Sequence, residues 1–237
     1  MAKRWGAVCL GLVLALAVGR LAAGEEPVQE GKSVKQWVGQ LRDADPKARA
    51  QAARALGVLG PKAKEAIPAL VQALRDEDAA VRDWAAYAVA SMGSDAKEAV
   101  PALEAMLNDD SPIARLTAAN ALGSIGPEAR AAVPALIKAL KGEDPWLAWS
   151  AALAVGRIGP DAKAAVPALV DNLGAYHYIV RHGAIKGLAG IGPAARPAWK
   201  PLLEIWEDKE ADPDLRRAAA TALKRIDPKA AAQEGVR

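Results

Sequence analysis

Glycine recurs at a fixed interval of 33 residues, and this repeat restricts the fold more than any other feature of the sequence. The positions are Gly60, Gly93, Gly126, Gly159 and Gly192. Proline keeps the same step from Pro68 onward, and leucine keeps it from Leu70 onward. Such a period is typical of a solenoid, in which one supersecondary unit stacks on the next. A two-residue insertion near residues 207–211 lengthens the last unit, so that Asp227 falls where the next glycine would stand.

Each unit is predicted to form two helices. In the first, residues 67–74 place apolar side chains at i, i+3, i+4 and i+7, the stripe of a half-buried helix. The second begins at a residue that can cap a helix N-terminus, and these N-cap residues are Asp45, Asp78, Ser111, Asp144 and Asp212. It ends at the recurring glycine, which suits a left-handed residue after a helix. In the fifth unit His177 replaces the N-cap acid.

The second helices supply the expected buried seam. Positions equivalent to Val81, Ala85, Ala88, Val89 and Met92 share one sector and are small or aliphatic in every unit. Aromatic and β-branched residues never alternate in runs, so no strand is expected. The prediction is an all-α, right-handed α-solenoid of about six two-helix repeats. Its units are residues 33–60, 61–93, 94–126, 127–159, 160–192 and 193–228, followed by a flexible tail at 229–237.

The N-terminal segment is predicted to be a cleaved export signal. Lys3 and Arg4 precede an apolar stretch, and Ala22 to Gly24 supply the small residues that a signal peptidase needs. The stretch is shorter than the ~20 residues of a membrane-spanning helix, although an uncleaved anchor is the alternative. We therefore expect residues 1–24 to be removed, residues 25–32 to be a short linker, and the protein to be periplasmic or extracellular.

The charge of the predicted mature chain argues against nucleic acid as a partner. Residues 1–24 hold three of the 31 basic residues and none of the 28 acidic ones, so 28 of each remain. A net charge near zero lacks the basic footprint that phosphate binding requires. The mature chain also has no cysteine, and His177 and His182 fall on different sides of their helix. Neither a metal site nor a cofactor is therefore predicted.

An arginine recurs on the second helices and has two interpretations. The set is Arg49, Arg82, Arg115, Arg181 and Arg216. One interpretation is a row that binds an anion. The other, which we favour, is a structural ladder that bonds acids or carbonyls between adjacent units. The arginine follows the N-cap acid by four positions, where an ion pair within the helix is expected.

Aromatic residues mark a candidate binding surface. Trp37, Trp199 and Trp206 align with core positions of first helices, whereas other tryptophans lie on second helices opposite the buried seam. There the middle units are apolar or aromatic and the end units are charged. We call these residues the aromatic patch: Trp84, Tyr87, Ile113, Leu116, Trp146, Trp149, Leu153, Tyr178, Ile179 and His182. An exposed cluster of this kind usually binds a partner. The alternative is packing between repeats, which stays open for Trp149, whereas exposure is favoured for Trp84 and Trp146.

The repeat resembles a known family. Asp45 to Pro61 reads Asp-Pro-Lys-Ala-Arg-Ala-Gln-Ala-Ala-Arg-Ala-Leu-Gly-Val-Leu-Gly-Pro, which is similar to the short HEAT-like repeat of the phycobilisome-lyase type. The resemblance covers about residues 33–228. The signatures of ankyrin and tetratricopeptide repeats, which have similar periods, are absent. The resemblance implies a superhelix whose second helices line a concave surface used mostly for contact with other proteins.

The expected function is an exported interaction or scaffolding module that binds another protein on the concave face. We do not expect an enzyme, because the sequence has no phosphate-binding loop, nucleophile elbow or His-Glu-x-x-His helix. The resemblance leaves one alternative, a bilin lyase-like or other subunit that binds a tetrapyrrole or small ligand. An export signal disfavours the bilin lyase-like function. Deoxyhypusine hydroxylase has a similar architecture but binds iron through His-Glu dipeptides, whereas Tyr178 and Gly183 follow the two histidines here.

Overall fold

The computed structural model describes residues 28–236, which form six helical hairpins in one row. The first helices are α1 (Val34–Gln40), α3 (Ile67–Ala73), α5 (Val100–Met106), α7 (Val133–Leu140), α9 (Val166–Leu173) and α11 (Trp199–Glu207). The second helices are α2 (Pro46–Leu59), α4 (Ala79–Met92), α6 (Pro112–Ile125), α8 (Pro145–Ile158), α10 (Tyr178–Ile191) and α12 (Pro213–Ile226). The predicted all-α solenoid of two-helix repeats is confirmed. The predicted export signal lies outside the described residues.

The second helices begin where the sequence predicted. Asp78 and Asp144 each accept backbone N–H groups from the first turn of their helix, as N-cap side chains do. His177 holds the N-cap position of α10 but makes no capping hydrogen bond. The fifth repeat therefore lacks a stabilising contact that its neighbours have.

The recurring glycines adopt a conformation that differs from the predicted one. Their φ angles run from 56° at Gly60 to 80° at Gly159, but their ψ angles lie between −133° and −145°. These values are close to the first central residue of a type II′ turn and not to a left-handed helical residue, yet they favour glycine for the same steric reason. The chain then continues directly as a three-ten helix, first at Gly60–Ala66 and then at Gly93–Ala99, Gly126–Ala132, Gly159–Ala165 and Gly192–Ala198.

The second helices form the inner row of the solenoid. Val81, Ala85, Ala88 and Val89 are wholly buried, as the predicted seam requires. Each second helix contacts the next along its length, whereas successive first helices scarcely approach one another, apart from α7 and α9. Because the second helices are more closely spaced, the row curves toward them, and their free faces line its concave side.

A short hairpin closes the N-terminal end of the row. Strands β1 (Val28–Gln29) and β2 (Lys32–Ser33) pair antiparallel, and all of their residues except Ser33 lie in the segment predicted as a linker. The buried Trp37 indole donates a hydrogen bond to the Gln29 carbonyl at 3.1 Å. The expectation that the chain would contain no strand was therefore wrong. Strands of two residues are too short to show an alternating pattern, and the contact with Trp37 holds them in place.

A helix closes the C-terminal end, where the sequence predicted a flexible tail. The structure has α13 (Pro228–Gln233), and Asp227 caps it by accepting the N–H groups of Lys229 and Ala230. Ala231 and Val236 are buried. The tail prediction was therefore wrong, because two apolar side chains dock on the last repeat. No helix of residues 28–236 is long and apolar enough to cross a membrane.

Candidate functional site

The recurring arginines of the first two repeats bind acids of the repeat that follows. Arg49 donates to both carboxylate oxygens of Asp76 at 2.7 and 2.8 Å, and Arg82 does the same to Asp109 at 2.6 and 2.7 Å. Each guanidinium also donates to two carbonyls of its own interhelical turn. The two guanidinium groups are thus bonded inside the solenoid, and they are not free to bind an anion.

The partner in these pairs is not the N-cap acid expected from sequence spacing. Asp76 and Asp109 lie 27 residues after their arginines, in the turn of the next hairpin. The hydrogen bond from Arg82 is the main cause that lowers the pKa of the Asp109 carboxyl. A two-pronged contact between largely buried side chains is a strong form of ion pair.

The ladder weakens in the middle of the row. Arg115 donates to the Asp109 and Asp110 carbonyls of its own turn, but it reaches the next repeat by one hydrogen bond of 3.4 Å, to Asp144. The fourth repeat has Ala148 at the arginine position, and the fifth has Ala175 at the acid position. Repeats four and five are instead joined on this side by Asn172, whose amide donates to the Leu140 carbonyl at 3.0 Å.

The last two arginines also depart from the ladder. The Nε atom of Arg181 is buried and has no hydrogen-bond partner among the described residues. Arg216 donates to the Trp206 carbonyl at 3.1 Å within the final repeat. The five arginines predicted as one row therefore behave differently, and only those of the first three repeats bind acids of the next.

Half of the aromatic patch is exposed on the concave side. The exposed fractions are 63% for Ile113, 57% for Trp146, 46% for Tyr87, 38% for Tyr178 and 36% for Trp84. The other five members are half-buried: Leu116, Trp149, Leu153, Ile179 and His182. All ten lie on α4, α6, α8 and α10, four successive helices in contact.

Glycines on neighbouring helices make room for two of the aromatic rings. Trp84 and Tyr87 meet edge to face, with ring centroids 5.6 Å apart. A Cβ at Gly57 would come within 2.8 Å of the Tyr87 ring, and one at Gly183 would come within 2.9 Å of the Trp149 ring. Tyr87 and Trp149 are therefore packed between repeats on one side while the other side faces the concave surface.

Tyr178 and His182 extend the patch along α10. Their rings stack with centroids 5.8 Å apart and an interplanar angle of 10°. Burial raises the pKa of Tyr178, and burial together with Lys186 lowers the pKa of His182. A lowered pKa keeps His182 neutral at neutral pH. This pair therefore presents an uncharged surface. Among the described residues, no group of three His, Cys, Asp or Glu side chains could hold a metal ion.

Sequence reasoning missed a close approach between α8 and α10. A Cβ at Gly190 would come within 2.6 Å of backbone carbons of Gly156, and one at Gly187 would meet the Ala152 carbonyl at 2.7 Å. The signal was present as glycines inside two helices, where glycine is otherwise unfavourable. The two helices carrying Trp146 and Tyr178 are thus held at a very short separation.

The tryptophans on first helices lie in the first and last repeats. Trp37 is fully buried, as predicted for the core of the first repeat. Trp199 and Trp206, which align with core positions, are only half-buried and pack at the margin of the core. The guanidinium of Arg196 lies over the Trp199 ring at 4.5 Å.

Comparison with solved structures supports the solenoid. An engineered protein has a TM-score of 0.68 and 23% identity over 83% of this chain and 99% of its own. A designed armadillo repeat protein in complex with the peptide (KR)4 has a TM-score of 0.65 and 20% identity, over 83% and 100%. The complex of CpcE and CpcF of phycocyanin lyase from Nostoc sp. PCC7120 has a TM-score of 0.62 and 26% identity, over 92% and 85%.

A comparison with curated proteins found no match. The family is nevertheless identified from the sequence. The family model for HEAT repeats matches residues 34–123 and again residues 100–189. The resemblance seen in the repeat motif is therefore confirmed. Since the two matches together span more than half of the chain, the protein belongs to the HEAT-repeat family.

Proposed function

We propose that the protein is an exported, non-catalytic interaction module that binds another protein on its concave face through the aromatic patch. The observation that carries this proposal is the exposure of Trp146, whose side chain is 57% exposed at the centre of the row. Tryptophan is costly to leave in water and is enriched among the anchors of protein interfaces. Its neighbours Ile113 and Tyr178 are also exposed, so Trp146 belongs to a contiguous apolar surface.

The similar structures support a protein partner. The designed armadillo protein is in complex with a peptide, and CpcE forms a complex with CpcF. Both are repeat proteins whose fold matches this chain along most of its length. A solenoid presents a long concave surface, which suits contact with a protein better than the enclosure of a reaction.

A tetrapyrrole-binding function is the second candidate, favoured by the similarity to the phycocyanin lyase complex. The exposure of half of the patch residues argues against it. Small ligands bind in enclosed, mostly apolar pockets. Three grooves of about 510 to 750 Å³ lie elsewhere, and none is lined by a residue of the aromatic patch. Recording absorbance spectra of the protein with bilin and with haem tests this candidate, and a shifted, saturable band would establish it.

The export part of the proposal rests on residues 1–24. Their basic start, apolar stretch and small residues are the parts of a signal peptide. Expression of the full chain, followed by fractionation and N-terminal sequencing, tests it. A mature N-terminus at Glu25 in an exported fraction supports the proposal, and an intact protein in the cytoplasm contradicts it.

A patch variant tests the binding surface. Ile113→Ser with Trp146→Ser removes two side chains that are more than half exposed, so we expect a change in the free energy of unfolding of no more than about 0.5 kcal/mol. Loss of a central anchor usually lowers affinity by at least about tenfold. Trp149→Ala is less suitable, because that ring packs on Gly183.

The measurement is partner capture followed by quantitative binding. The full chain is crosslinked in its native compartment, the captured protein is identified, and its Kd is measured with the parent and the variant. Val58→Ser with Tyr176→Ser is the matched control, since both residues are exposed and apolar but lie outside the patch. Equal affinity of parent and patch variant would contradict the proposal.

A further inference from the structure

The second helices carry charge of one sign in their C-terminal halves. The last seven residues of these six helices contain five charged side chains, and all are basic: Arg54, Arg157, Lys186, Lys224 and Arg225. No acid occurs in any of these segments. Helices α4 and α6 carry none of these charges, so the cationic edge of the row lies at α2 and again from α8 to α12.

Two of these cations border the aromatic patch. Lys186 lies on α10, at the repeat position that Leu153 holds on α8 and that Tyr87 holds on α4. Arg157 lies one turn beyond Leu153, and a Cβ at Gly123 would meet its Cδ at 3.3 Å, so its stem crosses toward α6. Arg157 and Lys186 therefore flank the apolar surface on neighbouring helices.

These two cations are exposed and have no partner. Within residues 28–236, neither Arg157 nor Lys186 forms an ion pair or a side-chain hydrogen bond, and both are exposed. Arg54 differs, because it pairs with Glu30 at 3.3 Å. The charges beside the patch are thus available to a ligand.

Acids close to the patch are already engaged. The Asp83 carboxylate accepts a hydrogen bond from the Thr117 hydroxyl, and Asp214 pairs with Arg217 on α12. Both acids lie in the N-terminal halves of their helices, whereas the cations lie in the C-terminal halves. They do not neutralise Arg157 and Lys186.

Compensation of helix dipoles explains only part of this pattern. A cation in the last turn of a helix is favourable, and Arg157 occupies such a position in α8. Lys186 lies five residues before the end of α10, beyond the reach of that effect. Its position next to Leu153 and His182 calls for another reason.

We infer that the partner of the concave face is a protein segment that carries acidic side chains beside apolar ones. Its apolar side chains contact Trp146 and Ile113, and its carboxylates pair with Arg157 and Lys186. Opposite charges at an interface raise the association rate and exclude wrongly charged partners. The inference rests on the proposed function and specifies the chemistry of the partner at that same surface.

Two synthetic peptides test the inference. The probe is a fluorescein-labelled decapeptide of Glu, Leu and Trp, and its counterpart has Lys in place of every Glu. Fluorescence anisotropy with the mature chain is measured from about 0.1 M to about 1 M NaCl, over which the screening length falls from roughly 10 to 3 Å. At the lower salt concentration, we expect the acidic peptide to bind at least about tenfold more tightly than the basic peptide. This preference should shrink as the salt concentration rises.

Charge reversal separates the inferred edge from general electrostatics. Arg157→Glu with Lys186→Glu should abolish the preference. The control Arg130→Glu with Lys163→Glu makes the same change in net charge at two exposed positions of the three-ten segments, and it should keep most of the preference. Circular dichroism confirms that each variant is folded.

Several outcomes would overturn the inference. These are equal affinity for both peptides, no binding of the acidic peptide, an equal effect of the two charge variants, or binding to phosphatidylglycerol vesicles but to neither peptide. The native partner distinguishes this inference from the function on which it rests. If the patch variant loses that partner and the charge-reversed variant keeps it, the interaction surface stands and the acidic partner does not.

Discussion

Gly190→Ala should destabilise the protein, although alanine is the better helix former. In α10, a Cβ at this position would lie within 2.6 Å of two backbone carbons of Gly156 on α8. A flexible side chain could rotate away from such a contact, but backbone atoms cannot. The two helices would have to separate, and the packing of their whole interface would loosen.

The size of the effect follows from two opposing contributions. Overpacking a close-packed site costs about 1–3 kcal/mol, and contact with backbone places this case near 3 kcal/mol. Replacing a helical glycine with alanine returns about 1 kcal/mol. The net loss in the free energy of unfolding is therefore about 2 kcal/mol, which corresponds to a fall in Tm of roughly 4–8 °C for a chain of this length.

Urea unfolding followed by far-ultraviolet circular dichroism measures this loss. Gly39→Ala is the matched control, because Gly39 lies in helix α1 and a Cβ there would have no atom within 4 Å. The control gains helix propensity without a clash, so its unfolding midpoint should rise by the equivalent of about 0.5–1 kcal/mol. If Gly190→Ala proves as stable as Gly39→Ala, the close approach of α8 and α10 is not a feature of the folded protein.

Three further expectations follow from the ladder and the caps. Arg82→Met leaves the largely buried Asp109 without its arginine partner and should cost about 2–3 kcal/mol in urea unfolding. Arg115→Met breaks only one long hydrogen bond to the next repeat, besides two to carbonyls of its own turn, and should cost less, about 1 kcal/mol. The pKa of Asp109 is lowered in the folded state, so its contribution is present above its unfolded pKa of about 3.9 and is lost on acidification below it. Between about pH 5 and about pH 3, the urea unfolding midpoint of the parent should therefore fall more steeply than that of Arg82→Met. Parallel curves would contradict this assignment. His177→Asp supplies the missing N-cap of α10 and should raise stability by about 0.5–1 kcal/mol in thermal unfolding; no gain would show that the cap is satisfied otherwise.

Local signals explain why the hairpins were predictable from the sequence. An N-cap acid such as Asp78 and a glycine such as Gly93 mark helix ends by their own backbone chemistry, whatever surrounds them. The stripe through Val81 and Ala85 likewise follows from helical periodicity alone. These signals recur in every unit, so each repeat supports the interpretation of the others.

Features that depend on distant residues were not predictable in the same way. Asp45 lies four residues before Arg49, but the bidentate partner is Asp76, which only the stacking of repeats brings close. The three-ten segments hold buried alanines such as Ala63, which dock on the core, and these segments were not predicted from the sequence. The helix at Pro228–Gln233 depends on a docking surface on the last repeat.

The candidate surface was predictable only in outline. Because Trp146 lies opposite the buried seam of α8, the sequence predicted that it would be exposed, and it is. The half-burial of Trp149 depends on Gly183, which lies on another helix and leaves space for the ring. Periodicity within one helix carries no information on how far a neighbouring helix covers its face.

The glycine contact between α8 and α10 has a mechanical consequence for the whole row. At this junction the inner helices touch backbone to backbone, and on the outer side Asn172 bonds the Leu140 carbonyl where α7 and α9 also approach each other. Both edges of the junction between repeats four and five are therefore held. We expect these two repeats to move as one rigid block, so that the spacing of Trp146 and Tyr178 stays constant when the ends of the solenoid move.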